Sequence, residues 1–156
     1  MRILRYLTLT ALVVVSAQVA DIAAKNISVP RMYMFGFAAS FNDSIVHFTE
    51  IQTVENVWID HKSELMAGRE NYSYQLRDYL ANELKMPHRT CVIFYNQDVK
   101  KLEKEYLKMK RIYLLGKKKV KKKDRGKTVS HNEIRMIATS EFKFQTVDMS
   151  ESNDEQ

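Results

Sequence analysis

Cysteine is almost missing from this chain of 156 residues: Cys91 is the only one. A single thiol makes no internal disulfide, so the chain must hold together by an ordinary core. The usual nucleophile and phosphate-binding signatures are absent too, with no Gly-x-Ser-x-Gly, Ser-x-x-Lys or glycine-rich phosphate loop. The four histidines, His47, His61, His88 and His131, include no pair at metal-ligand spacing. No metal or other cofactor is therefore expected. Nor is there a run of about 20 apolar residues, the length a membrane-spanning helix needs.

What the chain does have is a distinctive beginning. Arg2 and Arg5 precede an apolar stretch from Tyr6 to Val15, and Ser16 and Ala17 follow. A basic start, a short apolar core and a small-residue exit describe a secretory signal peptide. The expectation is a leader over 1–17, with cleavage as late as residue 20, and export to the periplasm or beyond.

The second feature is GKKKVKKKDRGK, residues 116–127. The formal charge of the whole chain is +6. Loss of Arg2 and Arg5 with the leader leaves +4. The stretch alone carries +7, from eight bases and Asp124, so the rest of the mature chain is near −3. The candidate anion-binding residues are Lys117, Lys118, Lys119, Lys121, Lys122, Lys123, Arg125 and Lys127. The stretch contains no aromatic residue, whereas a nucleic-acid surface usually spreads its bases over a face and interleaves aromatics for stacking. That argues against nucleic acid. In an exported protein the available anions are lipid head groups, acidic glycans and acidic protein surfaces.

Periodicity then sets out one domain over 32–147, led by a tether at 18–31 and followed by an acidic tail at 148–156. Two β-rich runs near 32–40 and 44–51 flank the turn formers Asn42 and Asp43, which reads as a hairpin. Gly36 inside the first strand marks a bulge or a close backbone approach. Val54, Val57, Trp58, His61 and Leu65 repeat at helical spacing, predicting a helix that ends at Gly68. Tyr72, Leu76, Tyr79, Leu80 and Leu84 predict a second, stopped by Pro87. RTCVIFY reads as an interior strand holding a buried, inert Cys91. Val99, Leu102, Tyr106, Met109 and Tyr113 mark a long helix closed by Gly116. Phe142 and Phe144 alternate with Lys143 and Gln145, predicting a strand with both rings inward. A further short strand fits within 128–139.

The expected fold is α+β: one mostly antiparallel four-stranded sheet, in the chain order β-β-α-α-β-α-β, with its helices on one face. The candidate catalytic residues are His61, Glu64 and Arg77, all in the helical segment 60–83. Three functional readings follow. The first is a non-catalytic exported protein that binds an envelope or extracellular partner, with a basic loop for anionic surfaces. The second is a small exported hydrolase or nuclease using the polar groups of 60–83. The third, an RNA-binding protein, requires that the leader is not a signal peptide.

Overall fold

A computed structural model describes residues 26–115 and 132–150. The proposed leader, the basic stretch 117–127 and His131 lie outside these residues. Among the described residues the fold is mixed α+β, with five strands and two helices. The strands are β1 (Asn26–Ala39), β2 (Ile45–Thr49), β3 (Gln52–Asp60), β4 (Thr90–Asn96) and β5 (Glu133–Ile137). The helices are α1 (Arg69–Asn82), between β3 and β4, and α2 (Val99–Leu115), between β4 and β5.

β1 is the spine, and it reaches back to Asn26, into the expected tether. Its far half, MYMFGFAA, is apolar at nearly every position, which suits a strand covered on both faces. Met32, Met34 and Ala38 join one core cluster while Phe35 and Phe37 join another. Alternation along a strand puts these two sets on opposite faces. α1 covers the first set through Tyr72, Leu76 and Leu80. α2 covers the second through Leu102, Tyr106, Met109 and Tyr113. The expectation of helices on one face is thus corrected.

The connectivity explains why. β2, β3 and β4 all pair antiparallel with β1, and β5 pairs parallel with β2. β3–α1–β4 therefore joins parallel strands across β1, and β4–α2–β5 joins parallel strands by crossing back. Parallel crossovers are right-handed almost without exception. Two right-handed crossovers running in opposite directions place their helices on opposite faces.

The predicted hairpin is present, pairing Phe37 with Phe48 and Ala39 with Val46. β2 and β3 then run end to end along the same edge of β1. Met34 faces Gln52 but Phe37 faces Phe48, so Phe35 and Gly36 lie opposite the three residues Thr49, Glu50 and Ile51. This is a bulge. The Gly36 N–H donates to Thr49 Oγ1 at 2.8 Å. Gly36 also meets α1 at close range, since a Cβ built there would lie 2.5 Å from Leu76 Cδ2. Both reasons expected for a glycine at this place hold.

The helix expected over 53–67 is instead strand β3 and a turn. Its buried residues are Gln52, Val54, Val57 and Ile59. Asn56, at φ 53°, breaks the alternation and shifts its phase by one residue. The resulting two-three-two spacing imitates a helix. Asn56 falls opposite Pro30 in the register of β1 with β3, so both strands change phase together. β4 is also corrected: it pairs only with β1 among the described residues, and Val92 is exposed.

The predicted strand at 141–147 is not one, although Phe142 and Phe144 are buried as expected. The strand in this region is β5, within the expected 128–139. The extended segment after it is held by side-chain amides. Gln52 Nε2 donates to Phe142 O at 2.8 Å, and Phe144 N–H donates to Gln52 Oε1 at 3.0 Å. Gln75 treats Gln145 the same way, at 2.9 and 2.8 Å. Asn26 Nδ2 donates to Met149 O, so the first residues of the expected tail lie against the start of β1.

Two substitutions test this packing. Gly36→Ala should cost about 1–3 kcal/mol by overpacking, and Leu76→Ala in the same chain should cost less there than it does alone. Chemical denaturation reads both, and simple additivity of the two changes counts against the close approach. Phe144→Ala should cost about 3–5 kcal/mol while Lys143→Ala leaves the melting temperature nearly unchanged. Equal melting curves for these two variants contradict the assigned faces.

Candidate functional site

After β3 the chain makes a tight turn. Asp60 Oδ1 accepts the N–H of Lys62 at 3.0 Å and of Ser63 at 2.6 Å. The Ser63 N–H is the main reason that the Asp60 carboxyl titrates below its ordinary range. Asp60 O accepts from Glu64 N–H, and Asp60 N–H returns to Leu65 O. The Met66 N–H donates to the Tyr95 hydroxyl at 3.1 Å, fixing the turn to β4. This places His61 and Glu64 on one cavity of about 570 Å³, shared with Ile27, Tyr95, Asn96 and Gln97. Both side chains are exposed, so His61 is not the core-facing residue that a helix would have made it.

Arg77 is elsewhere. It lies on the outer side of α1, paired with Asp78 at 3.0 Å and stacked 4.5 Å over the Tyr74 ring. The three candidate catalytic residues do not converge. Among the described residues no cluster of three or more His, Cys, Asp or Glu is arranged to hold a metal.

A second polar group is buried deeper. Across the face under α1, Cys91, Ala38, His47 and Arg135 lie in register on β4, β1, β2 and β5. His47 is only 2% exposed, and its Nδ1 has no hydrogen-bond partner among the described residues. Burial pushes the imidazole down to about 4, helped by the charges of Arg89 and Arg135. It is therefore neutral at ordinary pH. Arg89 is buried as well. It clamps the loop before β2, bonding Asp43 Oδ2 at 2.7 Å and Ile45 O at 2.8 Å, while its Nε stays unpartnered. Burial pushes the Cys91 thiol up to about 11, as an inert thiol requires.

His47, Tyr79, Arg135 and Glu141 line a cavity of about 210 Å³ with Leu84 and Ile137. The sequence signal for His47 was its place in IVHFT. Alternation puts it opposite Val46 and Phe48, which reads as solvent-facing unless both faces of the strand are covered. Arg89 gave no periodic signal.

The basic stretch lies outside the described residues, but its neighbours are placed. Asn132 Nδ2 donates to Tyr113 O at 3.4 Å, and Glu133 N–H donates to Ser44 O at 2.9 Å. The chain thus leaves α2 and enters β5 at the end of the sheet that holds the 40–44 loop. Phe41, in that loop, is fully exposed.

No protein-family model, curated protein or solved structure matches this chain. Among the described residues no helix is long and apolar enough to cross a membrane.

The buried imidazole has a consequence for stability. An unfolded histidine titrates near 6.5, above the folded value of about 4. The unfolded state therefore takes up the proton first as pH falls. Stability is full above about 6.5 and is lost progressively down to about 4, by up to about 3 kcal/mol. Between pH 6.5 and 4.5 the melting temperature of the wild type should fall, and His47→Gln should flatten that slope. Parallel slopes for the two proteins rule out His47 as its source.

Proposed function

We propose that this chain is an exported, non-catalytic α+β binding domain whose basic segment 117–127 engages an anionic surface in the cell envelope or outside it. The carrying observation is where the flanks of the segment meet the fold. Asn132 and Glu133 are tied to α2 and to Ser44, beside the loop that presents Phe41. A segment of eight bases whose described flanks meet the sheet beside the exposed Phe41 suits a lipid surface, where each Lys near anionic head groups contributes on the order of 1 kcal/mol. The charge split supports the same reading, because the strong positive charge belongs to this one segment. The hydrolase or nuclease reading has His61 and Glu64 on one cavity but lacks Arg77 there, so the binding reading is preferred.

The test uses anionic and neutral vesicles with the full chain. Wild type should bind the anionic vesicles, with affinity falling steeply as salt rises, since exposed charges are screened over about 8 Å at physiological ionic strength. Replacing Lys118, Lys119, Lys121 and Lys122 with Ser should weaken binding and leave the melting temperature within a few degrees, because charges outside a core add little stability. Phe41→Ser should weaken vesicle binding and spare heparin binding. An absence of polyanion binding at low salt defeats the reading. Protein from its native host should carry a new N-terminus near Gln18 or Asp21, and an intact Met1 on cytoplasmic protein contradicts export.

A further inference from the structure

We propose that the cavity beneath the C-terminal end of α1, floored by His47, binds a small zwitterion with an apolar side chain, of the free amino-acid class. This site is separate from the basic segment and stands without it.

His47 carries a polar atom that the described residues leave uncompensated. A buried polar atom with no partner is costly to leave unmet, so most such atoms are satisfied by protein, water or ligand. The His47 Nδ1 has no hydrogen-bond partner among the described residues and is sealed from solvent, and the residue is only 2% exposed. It lines a cavity of about 210 Å³, room for about seven water-sized groups at roughly 30 Å³ each. A neutral imidazole offers one N–H and one lone pair; with Nδ1 closed to solvent, the floor of the site meets a ligand through the other ring nitrogen, Nε2.

The walls supply opposite charges. Arg135 and Glu141 both line the cavity, yet they are not paired with each other. Arg135 is oriented through its Nε, which bonds Glu133 Oε1 at 2.8 Å. No described residue takes its terminal nitrogens. Glu141 is oriented by the Ala138 N–H, which donates to its Oε2 at 2.9 Å, and its second oxygen has no described partner. A guanidinium suits a carboxylate and a carboxylate suits an ammonium. The remaining lining includes Leu84 and Ile137, which can take an aliphatic group, and the Tyr79 ring, held 5.0 Å from Phe142. A ligand carrying both charges and a short apolar branch meets every one of these groups. A simple anion leaves Glu141 facing it, and a simple amine leaves Arg135 facing it.

The test is calorimetry and thermal shift on the full chain with L-leucine and other free L-amino acids, beside 4-methylpentanoate (acid only) and 3-methylbutylamine (amine only). At least one apolar amino acid should bind saturably and raise the melting temperature. The acid and the amine should each bind at least tenfold more weakly. Arg135→Gln and Glu141→Gln change exposed side chains, so both should fold, and each should reduce affinity at least tenfold. His47→Gln should reduce it as well. The proposal fails if no amino acid in the panel binds, which leaves the cavity to water. It also fails if the acid or the amine binds as tightly as leucine, or if the Arg135 and Glu141 variants bind as wild type does.

Discussion

The rest of the structure depends on burying β1 from both sides. A strand reading Met-Tyr-Met-Phe-Gly-Phe-Ala-Ala presents apolar groups up and down at once, and neither set can be left in water. One helix on one face covers only half of it. The two crossovers run in opposite senses, and each lays a helix on a different side. The bulge at Thr49–Ile51 and the missing side chain at Gly36 follow from the same demand, because they let Leu76 approach the backbone of β1. The α2 face is built differently, from a stack of rings in which Phe35 lies 5.0 Å from Phe94 and 4.9 Å from Tyr106. An intimate contact on one side and an aromatic layer on the other thus enclose a single strand.

How far this was legible in the sequence depended on whether a segment keeps one period. The first hairpin, α1 and α2 do, and their residues stand close to where periodicity puts them, except that α1 stops at Asn82 and leaves Leu84 exposed rather than on its buried face. β3 does not, because Asn56 takes a left-handed conformation and moves the buried set from one parity to the other. Phe142 and Phe144 show a different limit. Alternation reports which side chains are inside, and it was right about that. It does not report what the backbone bonds to, and here the partners are the amides of Gln52 and Gln75 rather than another strand. The double-sided sheet was the larger miss, since helix periodicity carries no information about which face a crossover will reach.

The candidate site followed the same logic. His61 and Glu64 were picked for their proximity on a supposed helix, and they do share a cavity, but because a turn brings them there. Arg77 was joined to them by sequence distance alone, and the fold separates it. His47 was noted only as a histidine without a partner at metal spacing, because its importance comes from α1, β5 and Arg89, none of which is near it in sequence. Buried polar groups assembled from four elements leave no local pattern.

The segment after β5 completes the cluster under α1, and it arrives late in the chain. Until residues 142–147 are available, Tyr72, Leu76 and the underside of β1 lack their last cover, and the Gln52 and Gln75 amides have nothing to hold. The α2 side needs no such late arrival beyond β5. A growing chain can therefore close its aromatic face while the opposite face stays open and adhesive. Chaperone demand and vulnerability to proteolysis during synthesis should concentrate on that one side of the sheet.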